Sequence, residues 1–325
     1  MLSQRSLGQT FMFRMSVDWL SFRVQLAGTT QAAAFKERFE GYGVSWVQAH
    51  NAGPGNAAKD FSVRVQDLET FAAVKSIVSQ IDAWKEVQAP ARIDGIEISF
   101  DATPREPDPE GLEMMTLRLM RQALPPIIYS NARIVGADRR ERPLLSAQRC
   151  ALSSDSTLYI GDWARMNSIP AEGLGIRAYK KITDNKKLLP EAQHRARIEA
   201  VISGQELDRY GLSDLDSLDG FQFERLTSLF RFATPMPGRL AALYAEHGHP
   251  GHLYYRQRGV DETAPACIIN HLGRRDSRGR WRSKSKVLSI EPALTEVARD
   301  QLRKLTGRFN AGCSVSMPLS KNSRR

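Results

Sequence analysis

Cysteine is scarce: Cys150, Cys267 and Cys313 are the only three in 325 residues, and none forms a CxxC pair. Neither a disulfide framework nor a sequence-local thiolate zinc site is indicated, and a reducing cytoplasm fits best. Long apolar runs are lacking as well. No stretch approaches the roughly 20 residues that cross a bilayer as a helix. The opening residues up to Phe11-Met12-Phe13-Arg14 hold no continuous apolar segment of the secretory kind. The expectation is a cytoplasmic protein without membrane contact, with Met15 as well as Met1 available as a start. Internal repeats and low-complexity blocks are also missing. What is present, 42% hydrophobic and 25% charged residues, is a globular composition long enough for one large domain or two ordinary ones.

Charge of one sign is concentrated at one end. Residues 271–325 carry 14 Lys+Arg against 4 Asp+Glu, which leaves 32 against 32 in the rest, so the whole formal +10 belongs to this last segment. A near-neutral body with a basic extension points to a polyanion, in a cytoplasm most often nucleic acid. The run Arg274, Arg275, Arg278, Arg280, Trp281, Arg282, Lys284 and Lys286 holds its densest part. A solvated tail that only aids solubility is the plainer alternative.

Hydrophobic periodicity divides the chain. Ser16–Val24 alternates as a strand, Thr30–Glu40 has helical spacing, and NAGPGNAA from Asn51 is a loop. Asp60–Gln66 reads as a strand. Asp67 is placed to cap a helix reaching about Trp84, with Phe71, Val74, Ile77, Val78 and Ile81 on one face. Ile93–Phe100 is the next strand, and a helix over about Leu112–Leu124 follows a Pro-rich break. Strand candidates continue at Ser146–Leu152, Ser156–Gly161, Leu174–Ile182 and His194–Ile202. From Ser217 the pattern is helical, and Glu291–Phe309 predicts a last helix. The class is α+β, with a largely antiparallel sheet, helices packed on one face, a helical C-terminal region and a basic tail. The expected division is a body over 15–235, a helical or loop extension over 236–270 and a basic region over 271–325.

Strands show alternate residues to alternate faces, so the polar residues of three segments can be sorted before the fold is known. In IEISFD, Glu97, Ser99 and Asp101 share a face opposite Ile96, Ile98 and Phe100. In GIRAYKKI, Arg177, Tyr179 and Lys181 lie together. In HRARIEAVI, Arg195, Arg197 and Glu199 oppose Ala196, Ile198, Ala200 and Ile202. For any one strand a solvated sheet face explains such a row. Three in one sheet would gather carboxylates, a phenol and several cations on one side. Phosphodiester cleavage by a tyrosine requires that set. A phenol of pKa near ~10 is a weak nucleophile at neutral pH and needs help, cations hold the phosphate, and carboxylates supply hard oxygen ligands for Mg²⁺ or Mn²⁺.

Ser156-Thr-Leu-Tyr-Ile-Gly161, then Arg177-Ala-Tyr179-Lys-Lys181, then Arg195-Ala-Arg197-Ile-Glu199 resembles, in order and spacing, the replication initiation factor family. That family comprises initiators of rolling-circle plasmids, related phage proteins and conjugative relaxases. Its pattern is a T-x-Y-x-G strand, an R-x-Y-x-K strand and a strand ending R-x-E. Upstream, Arg92-Ile-Asp-Gly-Ile-Glu97-Ile-Ser-Phe-Asp101 is similar to the family's acidic strand with Glu97 in place of its first Asp, and VDWLSF is similar to the opening of such proteins. The resemblance spans about residues 15–235.

The resemblance implies that Tyr179 is the catalytic tyrosine with Arg177 and Lys181 beside it, and that Glu97, Asp101 and Glu199 hold Mg²⁺ or Mn²⁺. It also implies origin DNA as the partner, with a host helicase a further candidate and a dimer among the open oligomeric states. Arg195 and Arg197, with the basic run, are then expected to contact DNA. The implied activity is nicking and rejoining through a 5′-phosphotyrosine to start rolling-circle replication. A mobilisation relaxase with the same chemistry is the near alternative, and a non-catalytic DNA-binding regulator is the distant one. The loop after Gly161 lacks the family's S-R-x-S. Tyr254 and Tyr255 are the competing tyrosines, and His247, His249 and His252 read as surface residues of a loop.

Overall fold

The alternating run near the start of the chain extends further than its periodicity predicts and becomes the spine of the sheet. The computed structural model describes residues 4–126, 133–135, 141–143, 152–161, 163, 169–170, 173–184, 186–236, 266–267 and 288–311. In chain order these form α1 (Gln4–Thr10), β1 (Phe11–Gln31), α2 (Ala32–Phe39), β2 (Val44–His50), β3 (Ala57–Leu68), α3 (Phe71–Trp84), β4 (Arg92–Pro104) and α4 (Pro109–Gln122). Short strands β5 (Arg133–Val135), β6 (Glu141–Pro143) and β7 (Thr157–Ile160) precede β8 (Leu174–Lys181) and the small ribbon β9 (Thr183–Asp184) with β10 (Lys187–Leu188). They are followed by β11 (Arg195–Ser203), α5 (Gln205–Tyr210), a 3-10 helix over Phe223–Phe230, β12 (Ala233–Pro235), β13 (Leu288–Ile290) and α6 (Pro292–Phe309), with shorter 3-10 turns between elements.

Among the described residues the main sheet has nine strands in the order β2-β3-β1-β4-β11-β8-β7-β5-β6, and every pairing is antiparallel. The α+β class read from the sequence is therefore the observed one. Ile96, Ile98 and Phe100 of β4, Ile176 and Ala178 of β8, and Ala196, Ile198 and Ala200 of β11 are buried on one face. Apolar residues of α2, α3, α4, α5 and α6 join them in a single core. Alternation decides which face that is, because burying a Leu, Ile, Val or Phe side chain is worth about 1.5–3 kcal/mol and a one-residue slip would forfeit the whole row.

Three sequence expectations change. Asp67 is not a helix cap. It lies inside β3 with a left-handed φ of +54°, and Thr70 starts α3 by accepting a hydrogen bond from Ala73 N at 3.3 Å. The strand simply runs past the position where the helix was expected to begin. Second, the core is not confined to residues 15–235: Leu7 and Phe11 upstream, and Leu294, Leu302, Leu305 and Phe309 downstream, all belong to it. Arg118 of α4 also pairs at 2.8 Å with Glu291 at the start of α6. An amphipathic helix closes the core there despite the basic composition around it. Third, Val44–His50, whose alternation is too weak to predict an element, forms the edge strand β2. The predicted strand Ser146–Leu152 lies almost entirely outside the described residues, as do the basic run 274–286, Tyr254, Tyr255, His247, His249 and His252.

Candidate active site

The face of the sheet opposite the core carries the polar residues, and strand register sets them in rows. One row runs Arg14, Asp101, Arg197, Tyr179 across β1, β4, β11 and β8. The next runs Ser16, Ser99, Glu199, Arg177 and Tyr159, and a third begins Trp19, Glu97, Val201. The three strands sorted by face from the sequence do lie side by side, with Tyr179 and Glu199 on the same side.

A β-bulge adds a residue that alternation hides. Val17 pairs with Ile98 but Trp19 pairs with Glu97, so Asp18 is extra in β1; the register is restored where Ser21 pairs with Gly95 and Phe22 with Ile93, which makes Asp94 extra in β4. Bulges place two consecutive residues on one face. Val17 and Leu20 both enter the core, while Asp18 and Trp19 both join the polar face. Strict alternation would group Asp18 with Leu20, Phe22 and Val24, and that is why sequence reasoning missed it.

The result is a buried ionic cluster. Carboxylate oxygens of Asp18, Glu97 and Glu199 lie within 4.8 Å of one another, an arrangement that could hold a metal ion. Arg177 binds Glu97 at 2.9 Å and also Glu199. Arg197 binds Asp101 through two 2.6 Å hydrogen bonds, and it also reaches Asp18 and, at 3.3 Å, Glu199. Ser99 donates to Asp18 at 2.8 Å. The Tyr179 hydroxyl donates to Glu199 Oε1 at 2.7 Å.

Asp101 is therefore not a member of the carboxylate cluster: Arg197 grips both its oxygens, Arg195 lies 3.2 Å away, and Asp18 occupies the place expected for it. Arg197 itself is 3% exposed and spends its donors on carboxylates, so it faces the acids where a DNA contact was expected. Lys181 lines the same cavity as Tyr179 but is paired with Asp184 at 2.9 Å. The cavity, about 250 Å³, is bounded by Asp18, Glu97, Glu199, Arg177, Tyr179 and Arg64 among others. A larger cleft of about 660 Å³ adjoins it through Asp18 and brings Arg14, Arg195 and Arg308 to its rim. On the far side Trp163, 2% exposed, roofs β8. It can do so because residue 175 is Gly: a Cβ there would sit 2.6 Å from the indole.

Electrostatics show where the cluster is short of positive charge. Burial alone would raise Glu199, but Arg177, Arg197 and the Tyr179 hydroxyl outweigh it and hold this carboxyl below its usual range. Glu97 goes the other way. Burial and the neighbouring Glu199 push it up to about 8 against the opposing pull of Arg177. Burial likewise raises Asp18, with Arg197 opposing. Burial and Glu199 drive the Tyr179 phenol well above its ordinary range. The acids outnumber the cations that face them, and a divalent cation would supply the missing charge, so the all-oxygen donor set could hold a hard divalent metal ion.

One pH dependence follows. To act as a ligand Glu97 must lose its proton, so below about pH 8 a metal bound at the cluster would release a proton and bind more tightly as pH rises, levelling once Glu97 is ionised. In the metal-free protein the raised carboxyl acts on stability with the opposite sign: its contribution is fullest below the ordinary value of 4.5 and is lost as pH climbs toward about 8. Calorimetric Mn²⁺ titrations in buffers of different ionisation enthalpy read the released proton directly. Glu97→Gln should abolish the release, and an affinity flat over this pH window in the unaltered protein would contradict the assignment.

No family model matches the sequence, and no curated protein matches it. A solved structure, that of the rolling circle replication initiator protein from Geobacillus stearothermophilus, is similar at 11% identity with a TM-score of 0.34, over 92% of this chain and 99% of that one. A likeness at that identity and score carries no inference, and the functional reading rests on the side chains.

Proposed function

We propose that this protein is a metal-dependent DNA strand transferase that nicks one strand at an origin and holds the 5′-phosphate on Tyr179, initiating rolling-circle replication. The observation that carries the reading is the Tyr179 hydroxyl, hydrogen-bonded at 2.7 Å to a carboxylate of the Asp18, Glu97, Glu199 cluster. Those three acids would hold Mg²⁺ or Mn²⁺. When bound, the ion polarises a phosphoryl oxygen and offsets the charge that develops on the phosphate.

The chain's own residues divide the remaining work. Glu199 orients the phenol. A carboxylate held below its usual range is a weak base, so it takes the proton only as the new bond forms. The Tyr179 oxygen attacks phosphorus, the bond from phosphorus to the 3′-oxygen breaks, and that oxygen takes a proton from solvent water to leave as a free 3′-hydroxyl while Glu199 returns the phenol proton to solvent. Rejoining is the reverse, with a 3′-hydroxyl attacking and tyrosine leaving. Arg177 fixes Glu97 and Glu199, and Arg197 fixes Asp18 and the same Glu199 that meets Tyr179, an arrangement of positioned charge rather than of mobile side chains. Arg14, Arg195 and Arg308 around the adjoining cleft, with the cations of residues 274–286, would follow the strand's phosphates. The same chemistry would serve mobilisation of a conjugative element.

The test is incubation with supercoiled DNA that carries the flanking region of the gene, with Mg²⁺ or Mn²⁺. The expected products are an open circle and a protein–DNA adduct that survives denaturation, both lost on chelation. Binding without nicking under any divalent ion would leave the non-catalytic DNA-binding reading in its place.

A further inference from the structure

Three cations, Arg64, Arg177 and Lys181, line the cavity that holds Tyr179 and the acids. Two of them are neutralised: Arg177 by Glu97 and Glu199, and Lys181 by Asp184. Arg64 is different. Among the described residues its side chain makes no hydrogen bond and no ion pair, and its Nε is buried without a partner. Instead the guanidinium carbon sits 4.1 Å from the ring centre of Trp19 and 5.3 Å from that of Trp46.

The sequence builds this stack across three strands. Trp46 lies directly opposite Arg64 in the register of β2 with β3, and the bulge at Asp18 turns Trp19 of β1 onto the same face. Trp19 lies close over β4 because residue 95 is Gly: a Cβ there would stand 3.2 Å from two of the indole carbons. Burial works against the charge on Arg64, and Glu97 supports it. A cation half withdrawn from water with an unused donor is an expensive arrangement without an anion to receive, since a desolvated donor left unpaired costs about 1–3 kcal/mol. Trp19 is almost covered, but Trp46 is 39% exposed and stands on the edge strand of the sheet.

We infer that the Trp19–Arg64–Trp46 stack is a binding subsite for single-stranded DNA, in which Arg64 receives a phosphodiester oxygen at the mouth of the acidic cavity and the open side of Trp46 stacks a neighbouring base. A guanidinium presents a planar pair of donors to phosphate and stacks on aromatic faces; an ammonium does neither. Stacking of a base on an exposed indole is tolerant of sequence, so the subsite grips the strand without choosing the origin. The identity of the anion rests on the strand-transferase reading; the unpaired donor of Arg64 does not.

The experiment is binding of a fluorescent single-stranded oligonucleotide by the full chain, in EDTA so that no cleavage occurs, across a series of salt concentrations. Arg64→Gln should flatten the log–log salt slope by about 0.7, the contribution of one single-strand phosphate. Trp46→Ala should weaken binding by about 5- to 150-fold, the range for one stacked base. Arg64→Lys, which keeps the charge, should keep the slope but lose affinity; it also stands in should the Gln variant fail to fold. An Arg64→Gln protein with the parental slope and affinity, or an Arg64→Lys protein equal to the parent in affinity, would overturn the subsite. Competition by inorganic phosphate with no effect of Trp46→Ala would overturn the base contact. If the slope depends on Arg64 but the parent protein never nicks DNA, the subsite stands and the strand-transferase reading falls. If the parent nicks and Arg64→Gln leaves binding untouched, only the subsite falls.

Discussion

Tyr179→Phe is expected to reduce nicking to background and to remove the covalent adduct entirely while DNA binding stays near that of the parent protein. Only the hydroxyl is lost, and the ring remains in place on β8 beside Arg197 and Glu199. Deleting the nucleophile of a covalent catalyst has cost about 10⁶-fold in a well-measured protease. The effect on stability is far smaller. The phenol gives up one hydrogen bond to an ionised carboxylate, worth about 1.5–3 kcal/mol at most, and Glu199 keeps both its arginines. A denaturing gel after incubation with supercoiled DNA reads the adduct, and a urea melt of the same variant separates lost chemistry from lost fold.

The second large effect distinguishes two carboxylates on the same face of the sheet. Asp18→Asn should lower Mn²⁺ affinity by roughly 100-fold or more, since removing even an outer partner of a metal ligand typically costs about 10–100-fold. Asp101→Asn should do the reverse. It leaves the three clustered carboxylates in place but takes the bidentate partner from Arg197, which keeps Asp18 and Glu199, so stability should fall by less than the about 3–5 kcal/mol that fully stranding a buried charge costs. Mn²⁺ titration and chemical denaturation of both variants give opposite rankings if the structural assignment holds. Loss of metal binding in Asp101→Asn at unchanged stability would restore the set Glu97, Asp101 and Glu199.

What the sequence showed of this site, and what it hid, follows from strand geometry. Period-two alternation in IEISFD, GIRAYKKI and HRARIEAVI put Glu97, Arg177, Tyr179 and Glu199 on one face, and a regular strand leaves no other choice. The same rule failed at Asp18, because a bulge breaks the phase there and a second bulge at Asp94 restores it, leaving no trace in the hydrophobic pattern beyond the break itself. Pairing was hidden as well. Whether Asp101 meets a metal or an arginine is decided by which residue of β11 stands opposite, and Arg197 does. Arg64 and Trp46 carried no local signal, since their contact exists only across the register of β2 and β3. The helix over Glu291–Phe309 was legible from its periodicity and is α6; what the basic composition around it hid is that its apolar face joins the main core.

The central claim is that Tyr179 carries the strand. Digesting the trapped protein–DNA adduct with trypsin and nuclease and sequencing the modified peptide by mass spectrometry tests it most directly. The account predicts a single modified residue, Tyr179, bearing a nucleotide through its 5′-phosphate, and no such peptide when the reaction is run with a chelator. A nucleotide on Tyr254, Tyr255 or Tyr159, or one attached through a 3′-phosphate, would contradict it.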